Sequence, residues 1–523
     1  MLVKNGAEDL KTSLPSIADW MDEIIILDSG STDDSASIAN KYGAKRYVST
    51  DLHEPGKQRQ LAQSYATGDW ILALDANEEV SQDLKTSILT AIQQKPANTV
   101  YGCKRLDYLF GHCIDNPFWG AKAQWRLYPR SFSYNDDNHE SVILGNAHTK
   151  ELNGFLLHHT AHSPKAWLEK HMDYALAWAH KKHSQKQRTG FHNVILNPLW
   201  ALIKQYLLAG RFLQGKYGFI YSLFFMQYTF NKYAILYDLT HNKAKLAFDT
   251  ANKLNRTLAR LDLSQKKSSL SLVMIVKNES KHLAACLDSI HDLTDEIILL
   301  DSGSSDDTRN IADKYQAKFY SNTVWQGFGK QRQIAQSYAS GDYVLVLDAD
   351  ERVDAQLRQS ILEVLNQPLQ ADKVFAVSRV NLFCGVEVPK RYWYTNKIAR
   401  LYANQSFSYS NQEVHESLDH KNVRSENLNG YLLHLTNDNL HDSLAKNIRY
   451  SSDWAKEKKQ KGKKKSFIGI LFSTWASFLR EYFLRGDIAG GAYGYLLAFA
   501  SMSYTMDKYI MLWVDTKKKE NKS

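Results

Sequence analysis

Apolar runs and polar breaks alternate along the chain in a regular way, and the pattern is clearest from residue 271 onward. Ser271–Val276 (SLVMIV) is a short β-branched and apolar run, broken by Lys277-Asn278-Glu279. Leu283, Cys286, Leu287 and Ile290 then recur at helical spacing. A second apolar run, Glu296–Leu300, ends in Asp301-Ser302-Gly303-Ser304. Asp306 and Asp307 precede a helix expected over Thr308–Tyr315, with acids in its first turn as the helix dipole favours. A third strand is expected at Lys318–Tyr320, a helix within Lys330–Ser340, and a fourth strand at Tyr343–Leu347, ending at Asp348. Strands alternating with helices predict an open, mostly parallel α/β sheet. Ligands of such sheets sit beyond the carboxyl ends of the strands, where Asp301 and Asp348 both fall.

The pattern occurs twice. EIIILDSGSTDD at 23–34 repeats as EIILLDSGSSDD at 296–307, an offset of 273 residues that persists through the KQRQ runs at Lys57 and Lys330. Met1-Leu2-Val3-Lys4-Asn5 aligns with Met274–Asn278, so the first strand of copy one is several residues shorter. Gly6 stands opposite Glu279, and Asn77 opposite Asp350. Further on the offset becomes 276, pairing the HES segments at 139–141 and 415–417 and LNGFLLH at 152–158 with LNGYLLH at 428–434. Both copies then enter long aromatic, amphipathic segments, Trp200–Tyr237 and Trp475–Trp513. The expected organisation is copy one at 1–242, a polar linker at 243–269 and copy two at 270–523, each copy closed by amphipathic helices.

Composition narrows the class. The chain has 523 residues, 44% hydrophobic and 23% charged, so each copy can bury a core of its own. Four cysteines (Cys103, Cys113, Cys286, Cys384) form no CxxC pair, which predicts free thiols in a reducing compartment. The opening MLVKN does not resemble a secretory leader, and no clean run of 18 apolar residues is present. The net charge of +9 fits an anionic cofactor or a membrane surface. Seven lysines between Lys456 and Lys465 favour contact with anionic lipid. No nucleic-acid-binding module accompanies them, so no nucleic-acid partner is expected.

The candidate chemistry lies at the strand ends. A carboxylate such as Asp301, followed by Ser302 and Gly303, can accept from a nucleobase N–H or a ribose hydroxyl, while the glycine permits close backbone approach. Asp348-Ala349-Asp350 can bring two carboxylates to one ion, and Mg²⁺ or Mn²⁺ takes a few such oxygens and leaves other positions to substrate phosphates. Lys330 and Arg332, just upstream, can contact a base or phosphates, or be solvated helix charges. His415-Glu416 is the candidate for deprotonating an acceptor hydroxyl, with Glu140 its counterpart in copy one. The aromatic C-terminal segments read either as interfacial helices at a membrane or as helices packed on the core; the expectation here is the membrane. No GxGxxG follows the first strand in either copy, which argues against a dinucleotide oxidoreductase.

VKNE (276–279), DSGSSDDT (301–308), GFGKQRQ (327–333) and LDADER (347–352) together resemble family 2 inverting glycosyltransferases of GT-A fold, a nucleotide-diphospho-sugar, Rossmann-like α/β architecture. The HES segments and aromatic helices resemble one branch, the bacterial lipopolysaccharide core β-1,4-glucosyltransferases. The resemblance implies a UDP-sugar donor, a divalent metal, inversion by single displacement and a lipid-linked saccharide acceptor. It places the enzyme in the cytoplasm, peripheral to the inner face of the bacterial cytoplasmic membrane. It implies Asp301 and Glu279 at the uridine, Asp348 at ribose or metal, Asp350 at the metal, and Glu416 as base beside His415. The counterparts in copy one are Asp28, Asp75 and Glu140. Copy two is expected to be catalytic and copy one impaired. The alternatives are two active copies adding successive sugars, or a sugar-nucleotide-binding assembly protein in which copy one does no catalysis.

Overall fold

In the computed structural model, the described residues are 1–50, 54–94, 98–115, 123–135, 141–242, 261–387, 396–409, 418, 423–437 and 439–520. The proposed linker, through residue 260, lies outside them, as do His139, Glu140, His415 and Glu416.

The strands of the N-terminal half are β1 (Leu2–Val3), β2 (Ile25–Asp28), β3 (Lys45–Val48), β4 (Trp70–Leu72), β5 (Glu78–Val80), β6 (Thr99–Leu109), β7 (His112–Cys113), β8 (Ala123–Pro129) and β9 (His148–Ala161). Those of the C-terminal half are β10 (Leu270–Val276), β11 (Glu296–Asp301), β12 (Lys318–Ser321), β13 (Tyr343–Val346), β14 (Glu351–Val353), β15 (Lys373–Phe383), β16 (Val386–Glu387), β17 (Asn396–Ala403) and β18 (Arg424–Asn437). The expected strands and helices of the repeat are present, with ends moved by a few residues: the helices run Leu283–Asp288, Thr308–Lys314 and Phe328–Gln336.

The C-terminal half forms one nine-stranded sheet in the order β12-β11-β10-β13-β17-β15-β18-β14, with β16 on β15. β12, β11, β10 and β13 are parallel and β17 is antiparallel to β13, so the sheet is mixed beyond the nucleotide-binding strands. The N-terminal half repeats this order but is split between β1 and β4 into a three-stranded and a six-stranded sheet. In β10, Leu270–Val273 pair with Tyr343–Val346, whereas a single bridge, Leu2 to Asp75, joins the corresponding strands of the N-terminal half. A cavity of about 140 Å³ occupies the breach, lined by Met1, Ile25, Trp70 and Tyr128 among others. The Met1 ammonium donates to the Ile25 carbonyl at 2.8 Å.

Downstream of its sheet each half folds an equivalent helical module. Helix Phe191–Ile203 runs through a π turn (Lys204–Leu208) and a 3-10 turn (Arg211–Gln214) into helix Gly215–His241. Helix Phe467–Leu479, a π turn (Arg480–Leu484) and a 3-10 turn (Asp487–Gly490) lead likewise into Gly491–Glu520. Gly218 and Gly494 allow the second helix to cross the 3-10 turn: a Cβ there would lie 2.0 Å from the Arg211 carbonyl oxygen and 1.7 Å from that of Asp487.

The two long second helices are buried, against the sequence expectation of an interfacial role for the whole segment. Phe224, Phe230, Ile235, Leu496, Phe499, Met506 and Ile510 belong to one apolar core shared by both halves. The reason is all-round apolarity: side chains on several faces of Gly215–His241 are buried, as in a core helix rather than a surface one. The exposed apolar side chains lie instead on the preceding helix and turns, at matching positions: Leu199 and Trp475, Leu207 and Phe483, Phe212 and Ile488. Among the described residues no helix is long and apolar enough to cross a membrane.

Candidate active site

The C-terminal site is built from loops at the carboxyl ends of β10, β11 and β13. Asn278 takes a left-handed conformation (φ 57°) just after β10. Its amide oxygen accepts from Ser305 N at 2.8 Å, and its own N–H donates to Ser304 Oγ at 2.8 Å, so the VKN and DSGS segments hold each other. Asp301 ends β11 and is buried. It accepts from Gly303 N at 3.1 Å, Ser304 N at 3.0 Å and the Ser304 hydroxyl. Gly303 is at φ 96°, the left-handed geometry that brings these donors round. A carboxylate has about four acceptor sites, so Asp301 keeps capacity for an incoming donor. Ser302 is buried behind it.

After β13 the two acids of Asp348-Ala349-Asp350 diverge. Asp348 accepts from Arg332 Nη2 at 2.7 Å and Arg400 Nη2 at 3.0 Å. Arg400 also reaches the fully buried Glu351 at 2.8 Å, and a Glu351 oxygen receives Asp348 N at 2.9 Å. Burial opposes ionisation of Asp348, yet Arg332 and Arg400 hold its carboxyl well below the usual carboxylate range. Its charge is taken up by protein cations, which suits an orienting acid better than a metal ligand. Arg332 is turned inward, with its guanidinium 5.3 Å from the Tyr409 ring centroid, away from a phosphate-contacting role. Lys330 stays on the exposed side of its helix, 3.4 Å from Gln333 Oε1.

Asp350 instead faces His434, Oδ2 to Nε2 3.3 Å. The other ring nitrogen, Nδ1, lies 2.8 Å from Asn381 Oδ1. An imidazole nitrogen and a carboxylate oxygen facing each other in this way can share a proton or a cation. Glu279 lies close by and responds to that carboxylate: burial first, then Asp350 and Asp348, push it up to about 7, with His282 pulling the other way. The donor set is thus one carboxylate oxygen and one imidazole nitrogen, with the Glu279 carboxyl beside them. Among the described residues no three acids, histidines or cysteines converge as a closed metal cage. An open two-ligand site fits Mg²⁺ or Mn²⁺ that draws its remaining oxygens from water and substrate phosphates.

The N-terminal half keeps the scaffold and changes the site. Asp75 is held between Arg59 and Arg126 (3.0 Å), with Arg126 also on buried Glu78 at 3.0 Å, as in the other half. Asp28 ends β2 and accepts from Ser31 N at 2.8 Å and Ser31 Oγ at 2.7 Å, but also from Arg46 Nε at 2.7 Å. The position of Arg46 is Phe319 in the other half. Asn77 donates its amide to the His159 carbonyl at 3.0 Å. His158, the counterpart of His434, bonds Asp107 Oδ1 at 2.8 Å. His159 pairs with Glu79 at 3.1 Å, and His162 with Asp9 at 2.8 Å. Gly6 supplies no acid. The expected differences at Asn77 and Gly6 therefore meet a third, Arg46, that sequence reading passed over.

His434, Asn381, Arg400 and Glu351 were also missed. Two carried a signal: His434 as the last residue of the repeated LNG(F/Y)LLH motif and Glu351 inside the LDADER run. Asn381 and Arg400 become legible only once β17 and β15 are seen to follow β13 in the sheet.

A sequence family described as Glycosyl transferase family 2 matches residues 1–113 and again 271–410. An uncharacterized glycosyltransferase of Rickettsia prowazekii is 30% identical over 237 residues, which is 43% of this chain and 80% of that protein. A lipopolysaccharide core biosynthesis glycosyltransferase, LpsC of Rhizobium meliloti, is 28% identical over 245 residues, 46% of this chain and 89% of that protein. Each relative is thus about the size of one half of this chain. The solved structure of Staphylococcus aureus TarS is 14% identical, covers 45% of this chain and 91% of its own, and superposes with a TM-score of 0.25. With two matches to one family falling on the two halves, and the motif residues gathered at their strand ends, this chain belongs to glycosyl transferase family 2 and is a glycosyltransferase.

Proposed function

We propose that the C-terminal half transfers a hexose, with glucose the first choice, from a UDP-sugar to a lipopolysaccharide or lipooligosaccharide core, or a similar envelope glycolipid, with inversion. The observation that carries this is the meeting of Asp350 and His434 after β13, beside Glu279. In this reading Asp301 accepts from the uracil or ribose, and Asp348, fixed by Arg332 and Arg400, orients the ribose. Asp350 and His434 would hold the divalent metal, which when bound neutralises the diphosphate leaving group. Glu416 is the proposed base, with His415 beside it. The Rhizobium relative's role in lipopolysaccharide core biosynthesis supports a glycolipid acceptor. That acceptor would be met at the inner face of the cytoplasmic membrane.

We read the halves as two domains, 1–242 and 270–523, from a tandem duplication. The N-terminal half is a non-catalytic partner: Arg46 occupies its nucleoside acid, and Asn77 and Gly6 remove two carboxylates from its metal region. The test is UDP-glucose hydrolysis and transfer by the full chain with Mg²⁺ or Mn²⁺. Asp350→Asn should lower turnover on the order of 100-fold, about 3 kcal/mol of barrier, with an unchanged melting profile. Undiminished turnover in that variant would mean the metal assignment is wrong.

A further inference from the structure

More than half of the large apolar side chains exposed among the described residues lie in two short segments, 196–213 and 468–488. Trp200 is 56% exposed, Leu208 56% and Leu213 60%; Ile468 is 79%, Phe472 75% and Trp475 60%. Each segment is a helix followed by its π turn and 3-10 turn, so each half contributes the same strip at the same position in its fold. The strips adjoin. A cleft lined by Tyr206, Lys216 and Phe219 of one half and Phe467 and Leu471 of the other connects them. Contiguous exposed apolar surface of this kind marks an interaction site.

The charges around the strips identify the partner. Residues 191–214 contain no acidic side chain. In 466–488 the two acids, Glu481 and Asp487, are both buried, and Glu481 is held by Arg485 at 2.7 Å. The exposed charges on and beside the strips are cationic: Lys204 and Arg480 on them, Lys186 and Arg188 just before the first helix, and Lys463 and Lys464 just before the second. Apolar side chains projecting past a ring of cations match a bilayer with anionic headgroups.

We propose that the paired strips 196–213 and 468–488 form one membrane-docking surface that seats this chain on an anionic bilayer without crossing it. The proposal rests on the reading above for a membrane-borne acceptor; its evidence is the strips themselves. It divides the labour of the helical modules: the first helix and its turns meet lipid, and the second helix holds the halves together.

The test is flotation of the full chain with phosphatidylcholine vesicles, with and without about a third phosphatidylglycerol, set against the variant Trp200→Glu, Leu208→Glu, Phe472→Glu, Trp475→Glu. Wild type should float with anionic vesicles, and less in high salt. The quadruple variant should lose at least tenfold in bound fraction while keeping wild-type circular dichroism and UDP-glucose hydrolysis. Changing one strip alone should give an intermediate loss, and Trp475→Phe, which keeps the apolar contact, should bind normally. Wild-type flotation by a well-folded quadruple variant overturns the proposal. So does a wild type that ignores vesicles, whether monomeric or forming a dimer that the quadruple variant dissolves, the latter assigning the strips to a second copy. Vesicle binding without any sugar-nucleotide turnover would leave the docking surface standing and remove the catalytic reading.

Discussion

At the scale of single residues, the sites of the two halves differ at a few positions whose effects are chemical rather than architectural. Asp348 and Asp75 sit in the same arginine clamp, so the clamp belongs to the fold and does not distinguish the two halves. What distinguishes them is the next layer: Asp350 against Asn77, Glu279 against Gly6, Phe319 against Arg46. Two of these were legible by aligning the repeat, because a carboxylate missing from a motif is visible in one dimension. Arg46 was not, since its meaning depends on β3 lying beside β2, where its guanidinium reaches Asp28. Titration of UDP in the presence of Mn²⁺ should therefore give one site per wild-type chain. Asn77→Asp alone should leave the stoichiometry at one, because Arg46 still occupies Asp28. The triple variant Gly6→Glu, Arg46→Phe, Asn77→Asp should add a second, weaker site in calorimetry. A second site in wild type would show that the N-terminal half binds donor after all.

At the scale of elements, the LNG motifs show how backbone geometry delivers a side chain. Gly430 lies at φ 96° where β18 crosses the start of helix Ala355–Leu365, and a Cβ there would lie 2.2 Å from Leu357 N. Asp354 caps that helix at 2.7 Å through Leu357 N and also accepts from Tyr431 N at 3.0 Å, tying strand to helix. Four residues beyond the glycine comes His434, in register with Glu351 and with its ring facing the Asp350 carboxylate. Gly154 repeats the arrangement with Leu84 N, also at 2.2 Å. Gly430→Ala should thus cost about 2–4 kcal/mol and weaken Mn²⁺-dependent UDP binding by displacing His434. Gly462→Ala is the control: it is also left-handed, at φ 66°, but nothing lies within 4 Å. It should cost about 1 kcal/mol and leave binding unchanged, and equal losses in the two variants would remove the steric argument. The parallel strands were legible in the sequence because short apolar runs separated by polar breaks leave few alternatives. The burial of Gly215–His241 and Gly491–Glu520 was not, because aromatic, apolar helices satisfy a bilayer and a protein core equally well until a partner surface is seen.

At the scale of the whole molecule, the halves associate as a pseudo-dimer within one chain. Phe191 meets Tyr495 at 5.5 Å between ring centroids, and the equivalent residues Phe467 and Phe219 meet at 6.1 Å. Tyr217 meets Trp513 at 5.4 Å, and their counterparts Tyr493 and Tyr237 meet at 6.2 Å. Contacts that exchange partners in this way define an isologous, two-fold interface. The pairing of Asp507 with Gln227 has no counterpart across the two-fold, since Ser503 stands at the position equivalent to Gln227. Asp507 is buried in the shared helical core and accepts from Gln227 Nε2 at 3.0 Å, whereas the residue at its equivalent position is Asn231. Burial raises the Asp507 carboxyl to about 7, against a smaller opposing effect of the Gln227 hydrogen bond. The sign follows from proton binding. Between the ordinary carboxylate pKa and about 7 the unfolded chain releases this proton while the folded chain keeps it, so this residue's contribution to stability falls as pH rises and is most unfavourable above about 7. Asp507→Asn, which copies the other half, should raise stability by about 1–3 kcal/mol near pH 8, and the gain should shrink steadily toward pH 5. Thermal melts of the two proteins across that range check it. A pH-independent difference would mean that the aspartate is ionised in both states, and that the interface accommodates a buried charge through contacts other than Gln227.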